Sequence, residues 1–179
     1  MKRLLFALAT FLLPPSTLAL TDEVPFIVTP DNVTLEMLKL ANVGPKDYVI
    51  DLGSGDGRIV IVAAKRFGAK GLGVEIVPDL VKQSRENAKT AGVADRAEFR
   101  EQDLFETDLS KATVVTLYLL PEVNLQLRPR LQMLKPGTRI VSHDWDMGDW
   151  KPDKTIEVDV PDKKIGREKK SRIHLWVVR

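Results

Sequence analysis

Residues 48–57 read Tyr-Val-Ile-Asp-Leu-Gly-Ser-Gly-Asp-Gly. A short apolar run ends on a carboxylate, Asp51, and breaks into glycines at 53, 55 and 57. The helix-forming run Arg58-Ile-Val-Ile-Val-Ala-Ala-Lys-Arg-Phe67 follows at once. A strand that turns through glycines into a helix is the first β-turn-α unit of a nucleotide-binding α/β domain. Such a turn sits at the carboxyl edge of a parallel sheet, where open α/β folds bind ligands.

The glycine spacing selects among nucleotides. A dinucleotide fingerprint needs G-x-G-x-x-G so that backbone can approach a pyrophosphate at a helix N-terminus. Counting from Gly53 or Gly55, the third glycine is replaced by Arg58 or Val60; the pattern here is G-x-G-x-G. No Gly-Lys-Ser/Thr follows, which excludes a P-loop. Asp51 would repel a pyrophosphate but suits the ammonium of an amino-acid-bearing cofactor. Glu75 ends the next apolar run, Gly71-Leu-Gly-Val-Glu75, where a carboxylate accepts from ribose hydroxyls. Asp103 follows a third run, Ala97–Glu101. Acids on successive strand ends point to S-adenosyl-L-methionine.

The rest of the chain alternates in the same sense. Thr29-Pro30-Asp31 predicts a helix with proline at its first position, carrying Val33, Met37, Leu38 and Ala41 on one face and ending at Gly44-Pro45. Strands are expected at 48–51, 72–75, 97–101, 113–119 and 138–142, with helices at 57–67, 78–90 and 121–134. Two further strands, 155–160 and 172–178, have no helix between them and can only pair antiparallel. Five alternating β/α units and a closing hairpin predict a Rossmann-like α/β/α three-layer sheet, mostly parallel.

The first residues read differently. Lys2 and Arg3 precede a ten-residue apolar region, two prolines and Ser16-Thr-Leu-Ala-Leu20, the pattern of a secretory signal with cleavage after Ala19. Residues 1–19 are thus expected to be a signal peptide, 20–45 an entry segment and helix, and 46–179 the catalytic domain. Ten residues are too few for a bilayer core that needs ~20, so no transmembrane span is expected after signal removal. The expected location is exported, periplasmic or secreted, if the signal is used and cytoplasmic otherwise; export would separate the enzyme from a cofactor made in the cytosol. The formal charge of +2 is accounted for by Lys2 and Arg3, so charge makes no case for nucleic acid as a partner. Zero cysteines exclude thiolate metal sites and cysteine nucleophiles, and two distant histidines give no metal spacing.

Together these motifs resemble the class I S-adenosylmethionine-dependent methyltransferases. The similarity narrows to the archaeal protein-lysine methyltransferases and their mitochondrial relatives. It rests on Val24-Pro-Phe-Ile-Val-Thr-Pro30, Asp51-Leu-Gly-Ser-Gly-Asp-Gly-Arg-Ile59, Gly73-Val-Glu-Ile76, Asp103-Leu-Phe105, Leu134-Lys-Pro-Gly-Thr138 and Val141-Ser-His143. The resemblance implies that Asp51, Gly53, Ser54 and Gly55 hold the methionine end of the cofactor, Glu75 the ribose, and Ile76, Asp103 and Leu104 the adenine. It implies a protein acceptor with an accessible lysine, a small-molecule acceptor being the alternative and a non-catalytic exported binding domain a third. Tyr118 and His143 are the candidate polar groups for catalysis. Thr29, Leu119 and Trp145 are expected at the substrate entrance. Leu119-Leu-Pro-Glu122 stands where base-amine methyltransferases carry Asn/Asp-Pro-Pro-Tyr/Phe, which argues against nucleobase amines. His174 is expected to be structural.

Overall fold

The computed structural model describes residues 27–163 and 168–179. The expected signal at 1–19, and residues 20–26 of the entry segment, lie outside them. The described chain opens on helix α1, Asp31–Leu40, with Pro30 in extended conformation just before it. Proline is thus one position earlier than the sequence suggests: its carbonyl accepts from the Thr34 amide at 2.8 Å and starts the helix. The helix stops at Leu40, short of Gly44, because Asn42 takes a left-handed φ of 50°.

Strand β1 (Tyr48–Leu52), helix α2 (Arg58–Phe67), β2 (Lys70–Glu75), α3 (Pro78–Thr90) and β3 (Ala97–Glu101) follow in strict alternation. The alternation then breaks. Between β3 and β4 (Val114–Leu117) the chain makes only a 3₁₀ turn at Leu104–Glu106, so that crossover carries no α-helix. Helix α4 (Pro121–Gln132) and β5 (Arg139–His143) restore the pattern, and β6 (Lys154–Asp159) with β7 (Lys170–Val177) close the sheet. The order is β3-β2-β1-β4-β5-β7-β6, with β1 to β5 parallel and β7 antiparallel to both neighbours. The expected hairpin is there, although β7 inserts beside β5 and leaves β6 at the edge.

One face of the sheet carries α1, α2 and α3. Val33, Met37 and Leu38 of α1 and Ile59 and Ala63 of α2 pack on Val49, Val114, Val141 and Ile173. On the other face, Leu127 and Leu131 of α4 pack on Ile50, Leu52, Leu117 and Ile140, with Trp176 fully buried among them. Strands buried on both faces read as continuous apolar runs, as β1 and β4 do. Gly57 fixes how closely α2 enters this packing. Its φ is 83°, and a Cβ there would lie 2.6 Å from the Phe99 ring and 2.8 Å from Ser84 Cβ, so only glycine fits the start of α2.

Strand order reverses between β1 and β4: the chain leaves β1 toward β2 by way of α2 and leaves β4 toward β5 by way of α4 on the opposite face. A crevice therefore opens at the carboxyl ends of β1 and β4, the usual ligand position in such sheets.

Candidate active site

A cavity of about 640 Å³ fills that crevice. Its cofactor-facing end is built from strand termini. Asp51, the penultimate residue of β1, is 2% exposed, and its Oδ1 accepts from Thr116 Oγ1 at 2.6 Å. Thr116 is its register partner on β4. Burial pushes the Asp51 carboxyl up to about 7, with the Thr116 hydrogen bond opposing the shift and the charges of Glu75 and Asp56 adding to it. The glycine loop is pinned to β2, since the amides of Gly53 and Ser54 both donate to the Val74 carbonyl at 2.9 Å. A Cβ on Gly53, where φ is 76°, would stand 2.8 Å from Leu119.

Glu75 accepts from three backbone amides. Its Oε2 accepts from the Gly55 amide at 3.0 Å and its Oε1 from Ile76 and Val77 at 2.8 and 3.1 Å. A carboxylate has about four lone-pair sites, so one remains for a further donor. Asp103 caps the 3₁₀ turn through Oδ1, which accepts from the Phe105 amide at 2.8 Å. Ile76, 67% exposed, and Phe105, 39% exposed, present apolar surface beside these acids. Leu104 lines the cavity with them.

The other end is assembled from loops. The apolar run 113–119 places Tyr118 on strand β4, yet β4 stops at Leu117; Tyr118 and Leu119 leave the sheet and line the cavity. α4 begins at Pro121, and Leu120 before it is extended, with φ −59° and ψ 150°, as the residue preceding a proline prefers. Burial raises the Tyr118 phenol pKa and Asp144 adds to it, so it remains protonated at neutral pH. Thr29 and Trp145 also line the cavity, Trp145 being 41% exposed. Its loop is held by Asn124 of α4, whose Nδ2 donates to the Trp145 carbonyl at 3.3 Å.

His143 differs from the other sequence candidates. It is 1% exposed, lies behind Tyr118 with ring centroids 3.9 Å apart, and does not line the cavity. No acceptor can touch it directly. His174 sits in β7 with its Nδ1 2.9 Å from Thr155 Oγ1. Among the described residues no group of three His, Cys, Asp or Glu side chains is placed to hold a metal ion, and no helix is long and apolar enough to cross a membrane.

Sequence reasoning does not single out Thr116, Asp144 or Asn124. Only strand register places Thr116 opposite Asp51. Asp144, the residue after β5, has a left-handed φ of 62°, uncommon for a residue other than glycine and frequent at functional sites. Its Oδ2 accepts from Lys163 Nζ at 2.7 Å and its Oδ1 from the Arg172 amide at 2.9 Å.

The ANTKMT methyltransferase domain matches residues 51–154 of this chain. A protein-lysine N-methyltransferase of Saccharolobus islandicus is 45% identical over 76% of the chain and 86% of its own length. The chain belongs to the ANTKMT methyltransferase family. An adenine nucleotide translocase lysine N-methyltransferase of Mus musculus is 32% identical over 73% of this chain, which spans 57% of that protein. Among solved structures, a Salinibacter ruber protein described as an RNA methyltransferase, in complex with S-adenosyl-L-homocysteine, is 56% identical with a TM-score of 0.77. The match covers 85% of this chain and 94% of that one.

As a family member the chain is an S-adenosyl-L-methionine-dependent methyltransferase with the Rossmann-like fold. The cavity fits that cofactor on its own evidence. Ser54 lines the cavity, with its Oγ buried against Gly73 of β2. A buried carboxylate whose pKa is already raised gains most from a cation beside it, and Asp51 is such a carboxylate.

Proposed function

We propose that this methyltransferase transfers methyl groups to lysine side chains of proteins. The cofactor supplies an activated methyl on a sulfonium, so the protein's part is position and environment. In this reading Asp51, Gly53, Ser54 and Gly55 receive the amino-acid end. Glu75 accepts from a ribose hydroxyl, and Asp103 accepts from the adenine amino group between Ile76 and Leu104. The acceptor enters past Thr29, Leu119 and Trp145, and the Tyr118 hydroxyl orients the incoming amine.

The charge of the cavity carries the choice of acceptor. Among the described residues, five carboxylates line it, Asp51, Asp56, Glu75, Asp103 and Asp144, against one guanidinium, Arg58. Arg58 is itself committed to Asp56 at 2.7 Å and Asp31 at 3.2 Å. Asp56 and Asp144 are paired with Arg58 and Lys163, and the other three carboxylates face the cofactor in this reading, so among the described residues the cavity offers no uncommitted cation to a phosphate backbone. A lysine must be neutral to attack, and the walls of Leu119, Leu120, Val123 and Trp145 disfavour its charged form once it is inside. The names of the archaeal and mouse relatives point the same way.

The description of the Salinibacter protein motivates an RNA acceptor as the second reading. Basic residues at 163–172 would have to supply the phosphate contacts. Several are already engaged: Lys163 with Asp144, Lys170 with Glu157, and Arg172 with Glu157 and Glu168. The test is to incubate the protein with methyl-tritiated S-adenosyl-L-methionine and a cell extract, then to fractionate the label. Protease-sensitive label that hydrolyses to methyllysine is expected. Label removed by ribonuclease, or found only in small molecules, would overturn the proposal.

A further inference from the structure

Thr29 is held from both ends of the cavity at once. On the cofactor side, Arg58 Nη1 donates to the Thr29 carbonyl at 2.9 Å. The same guanidinium forks onto Asp56 of the glycine loop, Nε to Oδ1 at 3.0 Å and Nη2 to Oδ2 at 2.7 Å. On the acceptor side, Thr29 Oγ1 lies 3.4 Å from Nδ1 of His143. The His143 ring stacks on Tyr118, and its Nε2 lies 2.8 Å from Ser171 Oγ. Thr29 is 4% exposed, and residues 27–29 form a wall of the cavity.

We propose that Thr29, gripped by Arg58 and His143, is a positioning residue that joins the cofactor loop to the Tyr118 ring, with His143 acting only through Tyr118. The chain of contacts runs Asp56, Arg58, Thr29, His143, Tyr118. Each link is a hydrogen bond or a ring stack, and a displacement at one end is passed along the series. His143 suits this role better than that of a proton carrier. Both ring nitrogens face hydroxyls, which donate or accept as needed, so either neutral tautomer is satisfied. The charged groups beside it are Asp144, whose Oδ2 is 3.5 Å from Nε2, and the Lys163 paired with that carboxylate. Burial lowers the imidazole pKa to about 4, Asp144 opposing and Lys163 adding to the shift. The ring is therefore neutral through the physiological range. Arg58 cannot be replaced by lysine without loss, because an ammonium lacks the planar fork that spans Asp56 and the Thr29 carbonyl.

The experiment uses the fact that the chain has two tyrosines, 48 and 118. With ¹³C-labelled tyrosine rings and Tyr48→Phe as the assignment control, the Tyr118 signal is recorded in protein saturated with S-adenosyl-L-homocysteine. Affinity for the same compound is measured by calorimetry in wild type, Thr29→Val, Arg58→Lys and the double variant. Arg58→Lys is expected to weaken binding about tenfold and to move the Tyr118 signal. Thr29→Val should move the signal too, while weakening binding less than about threefold. In the double variant the signal should move no further than in the more affected single variant, because links in series can be broken only once. Should Arg58→Lys fail to fold, Asp31→Ala removes the exposed outer contact and should move the signal in the same direction by less. Additive displacements, or a Tyr118 signal indifferent to both substitutions, would overturn the proposal. So would a His143 ring signal that titrates between pH 5.5 and 8.

Discussion

The two ends of the cavity are made by different means. At the cofactor end the functional groups are strand-terminal carboxylates and loop amides, each set by the sheet itself. Asp51 is fixed by its register with Thr116, and the glycine loop by its amide bonds to Val74. At the acceptor end, Thr29, Tyr118, Leu119 and Trp145 come from three separate connections. They are held by side chains that reach across the molecule, among them Asn124 and His143. A site on rigid elements is precise and tolerates little change, whereas one on loops can be re-cut for a new acceptor. One fold can thus keep its cofactor while its relatives carry the names of different acceptors.

Substitutions should separate the two ends. The largest effect is expected at Glu75, which holds three backbone amides and in our reading the ribose. Glu75→Ala should weaken S-adenosyl-L-homocysteine binding about 100-fold or more, measured by calorimetry. Tyr118→Phe should instead leave that affinity nearly unchanged and lower methyl transfer to protein lysine about tenfold, measured as tritium incorporation. Equal losses in both quantities for Tyr118→Phe, or full cofactor affinity in Glu75→Ala, would dissolve the distinction between the ends.

A pH experiment sharpens it further. The raised pKa of Asp51, from 3.8 toward about 7, means the folded protein holds a proton there that the unfolded chain has lost. That contribution to stability is full below pH 4 and is lost as pH rises through 7. Cofactor binding runs the other way, since an ammonium prefers the ionised carboxylate. Affinity for S-adenosyl-L-homocysteine should rise severalfold between pH 6 and 8 and should release protons, detectable as a buffer-dependent binding enthalpy. Smallest of all, Trp145→Ala should raise the apparent KM for a protein acceptor about two- to fivefold without changing cofactor affinity, since the ring stands at the rim.

How much is legible in the sequence follows the same division. That Asp51, Gly53, Ser54, Gly55 and Glu75 line one cavity is readable because a β-turn-α unit is local: strand end, turn and helix start are neighbours in the chain; Asp103 and Leu104 are readable as the next acid after a strand and its neighbour. The parallel sheet and the terminal hairpin follow from the alternation of apolar runs and helical segments. Thr116 is not readable, because its role depends on which strand pairs with β1. Tyr118 reads as a strand residue since Thr113–Leu119 is uniformly apolar or β-branched apart from it. β4 nevertheless ends at Leu117, and α4 begins four residues on at Pro121, a boundary that the apolar run hides. His143 reads as a group that meets the acceptor because it ends a strand at the ligand-binding edge; its side chain turns instead behind Tyr118, toward Ser171 and Thr29. No helix is expected between the strands at 97–101 and 113–119, and only a 3₁₀ turn lies there.

In our reading a buried carboxylate at the end of β1, Asp51, anchors the cofactor's cation. The most direct measurement is a calorimetric titration of S-adenosyl-L-homocysteine into wild type and Asp51→Asn at pH 8. Thermal unfolding of both free proteins is recorded beside it. We predict saturable binding by wild type and a loss of about 100-fold in the variant. The free variant should be more stable than wild type at that pH by about 1–3 kcal/mol, because the asparagine amide keeps an acceptor for Thr116 without a buried charge. Binding of equal strength in both proteins, or a variant that binds as tightly while unfolding earlier, would contradict the claim.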